Sequence, residues 1–63
     1  MKKYQWAVMT WDSGWNGDGK KVDGVLITLP IFLARLEDEG WEIFSIVRIE
    51  HSVDTLVYCR KPR

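Results

Sequence analysis

Cysteine and histidine are nearly missing. Cys59 and His51 are the single copies among 63 residues. One of each excludes a zinc site of four Cys and His ligands within one chain, and a disulfide framework within a monomer. An excess of one charge is missing too, since nine Lys and Arg balance nine Asp and Glu. A surface that grips phosphates carries a basic excess, so nucleic acid is disfavoured as a partner. Long apolar runs are lacking. The longest, Val25 to Leu36, is broken by Thr28, Pro30 and Arg35, and it falls short of the ~20 residues of a transmembrane helix. No apolar signal core follows Met1-Lys2-Lys3, where Tyr4-Gln5-Trp6 stands instead. The expectation is a single domain over residues 1–63, in a reducing cytoplasm and away from membranes.

What is abundant is apolar and aromatic: 46% of residues are hydrophobic, and four are tryptophan. Lys3 to Trp11 reads as a strand, with Tyr4, Trp6 and Val8 on one face and Gln5, Ala7, Met9 and Trp11 on the other. Asp12 to Gly24 reads as an irregular loop, because Asn16-Gly17, Asp18-Gly19 and Asp23-Gly24 favour turns. Val25 to Thr28 is short and extended. Thr28 is the candidate N-cap of a helix with Pro30 in its first turn. Leu29, Phe32, Leu33 and Leu36 make its apolar stripe, and Gly40 ends it. Trp41 to Glu50 reads as a strand, with Trp41, Ile43, Ser45, Val47 and Ile49 on one face. His51 to Asp54 is a turn, and Thr55 to Lys61 closes the chain before Pro62. The order strand, loop, helix, strand, strand implies an α+β fold: a small antiparallel sheet with one helix packed on one face.

Leu33-Ala34-Arg35-Leu36-Glu37-Asp38-Glu39-Gly40-Trp41-Glu42-Ile43-Phe44-Ser45-Ile46 resembles the hallmark of domain-of-unknown-function family 4177, small bacterial and phage proteins. Its members typically read "LNELGxEGWELVSV" here. The opening Lys2-Lys3-Tyr4-Gln5-Trp6-Ala7-Val8 and the closing Leu56-Val57-Tyr58-Cys59-Arg60-Lys61-Pro62 are similar to the family's ends. The resemblance implies a compact βαββ-type domain. It implies no activity and no ligand residues. The stretch Gly24 to Pro30 is longer and more apolar than the family pattern. Gly40 and Trp41 also have a physical reading as a helix-to-strand corner, in which the glycine closes the helix and the indole anchors the strand in the core.

Chemistry-bearing clusters are thin. Asp12 to Asp23 fits a calcium loop only in part. Gly17 holds the turn position, but Gly14 offers no ligand at the third place, and Asp23 is too short for the twelfth. Neither metal nor cofactor is expected. Cys59 and His51 could form a thiolate–imidazole pair, but no nucleophile, base and orienter set assembles, so the chain is not expected to be an enzyme. Trp6 and Trp41 fit a core. Trp11 and Trp15 stand at a strand end and in a polar loop, so with Met9, Phe44 and Tyr58 they are the ligand or interface candidates. Every strand is apolar on both faces, and one helix can cover only one of them. A homo-oligomer, most simply a dimer, is therefore expected, serving as an interaction module that also has room for a protein partner. The other reading is a small-molecule or nucleotide-binding protein, phage-encoded, with a pocket near the subunit interface lined by Trp11 and Trp15.

Overall fold

Alternation in two long strands near the ends of the chain sets the sheet. The structure, a computed structural model, describes residues 3–63. In chain order the elements are β1 (Tyr4–Asp12), β2 (Lys20–Val22), β3 (Val25–Ile27), α1 (Leu29–Asp38), β4 (Glu42–Arg48) and β5 (Asp54–Pro62). Strand β5 lies between β1 and β4 and is antiparallel to both. The fold is α+β, with one helix against a small antiparallel sheet.

Asp12 to Gly24 is not wholly irregular, which corrects the sequence reading. β2 and β3 form a second, two-stranded sheet. Asp23-Gly24, both at positive φ, make its two-residue turn between Val22 and Val25. Asp-Gly suits the primed turn whose twist matches the flanking strands. Three paired residues are too short a pattern to stand out from a turn-rich sequence. The rest of the loop is braced. Ser13 donates both its backbone N–H (2.8 Å) and its hydroxyl (3.0 Å) to the Val53 carbonyl. The N–H of Gly19 donates to Ser13 O at 2.8 Å. At Gly19, φ is +136° and a Cβ would collide with the Ile27 carbonyl, so only glycine fits where the loop crosses the hairpin.

Helix α1 begins after Thr28. That residue holds the N-cap conformation, but its hydroxyl makes no capping bond. The C-terminus closes as the Gly40-Trp41 spacing suggests. The N–H of Trp41 donates to Leu36 O, and that of Gly40 to Glu37 O, both at 3.0 Å. This is the Schellman pattern, with Gly40 at φ +93°. Trp41 then folds back beside Leu36 in the core. The core is small: Leu36, Trp41, Val57 and Cys59, with Ala7, Met9, Phe32, Leu33 and Ile43 packed against it.

A β-bulge in β4 changes which side chains face this core. Ile43 pairs with Cys59, but Ser45 pairs with Tyr58, so Phe44 is the extra residue. Beyond it the alternation inverts. Ile46 is level with Val57 on the helix side, and Val47 is level with Leu56 on the other. The assignment of Trp41, Ile43, Ser45, Val47 and Ile49 to one face therefore holds only up to Ile43. A one-residue slip moves every later side chain across the sheet.

Candidate functional site

The helix covers one face of the sheet, and nothing among the described residues covers the other. On that open face the register sets Tyr4, Trp6, Val8 and Thr10 of β1 beside Pro62, Arg60, Tyr58 and Leu56 of β5. Phe44 reaches the same face through the bulge, since its ring meets Trp6 and Tyr58. Trp6 is 60% exposed, Phe44 55% and Val8 52%. The aromatic rings form a chain. Tyr4 and Trp6 are 6.2 Å apart, Trp6 meets Phe44 edge-on at 5.4 Å, and Phe44 lies 6.3 Å from Tyr58.

Arg60 sits in the middle of this array. Its guanidinium lies 4.3 Å above the Tyr4 ring and 5.5 Å from Trp6, and its Nε donates to Glu42 Oε2 at 3.0 Å. The cation is thus stacked and neutralised by one carboxylate. A patch of Trp, Tyr and Arg flanked by aliphatic side chains has the composition enriched where protein–protein binding energy concentrates.

The five sequence candidates do not converge. Phe44 and Tyr58 lie on the open face. Met9 is on the helix side, packed against the core. Trp11 is buried, 8% exposed, and its Nε1–H donates to Ile27 O at 3.0 Å. It serves as the post on which β3 docks, not as a surface residue. Trp15 is 95% exposed in the loop after β1. Trp6, assigned to the core from sequence, is exposed instead. The parity of β1 separates its two faces, and the packing of the helix decides which one is buried. Ala7, Met9 and Trp11 pack on one side, which sends Trp6 to the other. Tyr4, Val8 and Arg60 belong to the site by the same register.

A separate open groove of about 600 Å³ runs along the end of the helix side, lined by Trp11, Leu26, Leu29, Pro30, Ile46 and Arg48 among others. Trp15 does not line it. Val25 to Pro30 contributes to this groove and leaves the open face uncovered.

Among the described residues, the Cys59 thiol and the His51 imidazole stand in different environments. The Cys59 thiol is fully buried and lies 3.6 Å from the Ala7 carbonyl as a donor. Burial pushes its pKa up. His51 sits on the β4–β5 turn, where Nε2 is 3.7 Å from Glu50 Oε1 in solvent. In the Asp12–Asp23 loop, Asp12 Oδ1 accepts from the Gly14 N–H and Asn16 Oδ1 from the Asp18 N–H. These are local turn bonds. Among the described residues no three acidic, Cys or His side chains come together as a metal site would need. No helix there is long and apolar enough to cross a membrane.

No family model, curated protein or solved structure matches this chain.

Proposed function

We propose that the chain is a non-enzymatic interaction module that self-associates through its open sheet face. A single observation carries the reading: Tyr4, Trp6, Val8, Phe44, Val47, Leu56 and Tyr58 form one apolar face that no element among the described residues covers. The shape argues the same way. The accessible surface is 4865 Å², whereas a compact chain of 7.4 kDa exposes about 4200 Å². The radius of gyration is 12.8 Å, against about 10.6 Å for a compact chain of this length. The surplus, about 650 Å², approaches the ~800 Å² that each partner contributes to a standard interface. A second copy presents the same flat aromatic surface, and two-fold contact is the commonest way for such a face to close.

Membership of family 4177, a bacterial or phage origin and a cytoplasmic location belong to the same proposal. The Gly40-Trp41-Glu42 corner supports the first. The free buried thiol of Cys59 suits a reducing compartment. In this reading the corner is scaffold and the open face is the working surface.

Light scattering coupled to size exclusion, at micromolar chain concentration, tests the proposal. The expected mass is a multiple of 7.4 kDa, with a melting temperature that rises with concentration. A mass of one chain with concentration-independent unfolding overturns it. Tight, salt-sensitive binding of a single-stranded oligonucleotide to a one-chain species would identify the aromatic face as a base-stacking platform instead.

A second reading, small-molecule binding, rests on the groove beside Trp11 and Arg48. It predicts a change in tryptophan emission on titration with nucleotides, which the self-association reading alone does not.

A further inference from the structure

The three-stranded sheet has two edges, and they are built differently. The β4 edge has the features that block strand addition. It is seven residues long, carries a bulge at Phe44, and ends in Glu42 and Arg48. Charges and bulges at an edge keep a sheet from pairing with another. The β1 edge has no bulge, and its one charge is Asp12 at the far end. Its nine residues pair with β5 in unbroken register from Tyr4↔Pro62 to Asp12↔Asp54. From Tyr4 to Trp11 there is no charge, proline or glycine. Alternate N–H and C=O groups of an edge strand point away from the sheet, and those of β1 have no backbone partner among the described residues. Among the described residues the hairpin does not pair with this edge; it approaches only the far end of the strand, where the Trp11 indole N–H donates to Ile27 O and Thr10, Trp11 and Asp12 line a cleft with Lys20, Val22 and Ile27.

We infer that the free edge of β1 pairs antiparallel with β1 of a second copy, a contact separate from the open face. The inference rests on the self-association reading and deepens it. A two-fold axis at Ala7 centres the uncharged run and leaves Lys3 toward its rim. It sets Trp6 opposite Val8 of the second copy, an aromatic and β-branched cross-strand pair of the kind that stabilises sheets. Two three-stranded sheets become one sheet of six strands. Both open faces then look the same way, so edge pairing does not cover them. Two such sheets stacked on their aromatic faces close the assembly at four chains with dihedral symmetry.

Two measurements on the full chain separate the two contacts: mass by light scattering, and amide hydrogen exchange residue by residue along β1. The expected result is a mass near four times 7.4 kDa with slow exchange at every amide from Gln5 to Met9. Alternating slow and fast amides along β1 overturn edge pairing at any mass. Alternation at twice the chain mass leaves the open-face reading standing. Continuous protection at twice the chain mass keeps edge pairing and overturns the open-face contact. A one-chain mass overturns both. Gln5→Lys sharpens the test, because Gln5 is exposed and lies off the open face. The charge should halve the assembly from four chains to two and restore alternating exchange, with an unchanged circular dichroism spectrum as the control for folding. Four chains with continuous protection in that variant would count against the edge.

Discussion

The two faces of the sheet share a chemistry and differ in fate. On the helix side, Val57 and Cys59 are fully buried beneath Leu36 and Trp41. On the open side, Trp6, Val8 and Phe44 are more than half exposed. Both are made of aromatic and aliphatic residues. The difference lies in supply, since one helix of ten residues can cover one face of three strands and no more. Apolar composition thus marks a surface that needs cover, and where the cover comes from is a separate question.

The comparison breaks most sharply at Trp41. Trp41→Ala removes the largest side chain of the buried cluster of Leu36, Trp41, Val57 and Cys59 and should cost ~3–5 kcal/mol. That is comparable to the whole stability of a small domain, so loss of the cooperative urea transition is the expected reading. Trp6→Ser is the matching change on the open face. Here the folded chain should survive, while the dissociation constant of the face contact rises ~30-fold, the effect of losing a ~2 kcal/mol hot spot. Sedimentation across a concentration series reads it. If Trp6→Ser unfolded the chain as Trp41→Ala does, the two faces would be equivalent and the distinction would fall.

Gly40→Ala probes the corner that delivers Trp41. An alanine forced to φ near +93° should lower stability by ~1 kcal/mol, as a shift in the denaturation midpoint without a change in slope. The smallest effect belongs to Cys59. Burial raises its thiol pKa in the folded state, so the folded chain holds the proton more tightly than the unfolded one. Its contribution to stability is therefore complete below the unfolded thiol's pKa. It is lost as pH rises from about 9 through the folded value. Melting temperatures from pH 7 to 10.5 should fall at the alkaline end, and Cys59→Ala should flatten that part of the profile. A covered face predicts this slope; a thiol open to solvent would not produce it.

Much of the architecture was readable in the residues. Period-two alternation marks β1 and β5, the Leu29, Phe32, Leu33 and Leu36 stripe marks α1, and Gly40-Trp41 marks its end. These are local signals, carried by neighbours no more than four residues apart. The site was less readable. Trp11 and Trp6 exchange their expected places, because a strand's alternation separates two faces without saying which one a distant helix will cover. The bulge at Phe44 is invisible to alternation for the same reason. It is defined by pairing with Tyr58 and Cys59, which lie far along the chain.

By itself the sequence determined the class of fold, the helix boundaries, the Schellman corner and the surplus of apolar surface. All of these follow from local backbone preference and from composition, which do not depend on what the rest of the chain does. Only the tertiary structure decided that β5 lies between β1 and β4, that Trp11 anchors β3 through Ile27, and that Tyr4, Trp6, Phe44 and Tyr58 gather on one uncovered face around Arg60. Those outcomes depend on register between segments some fifty residues apart. A shift of one residue there turns every side chain to the opposite face at no cost to local propensity, so only the packing of the whole chain selects among them.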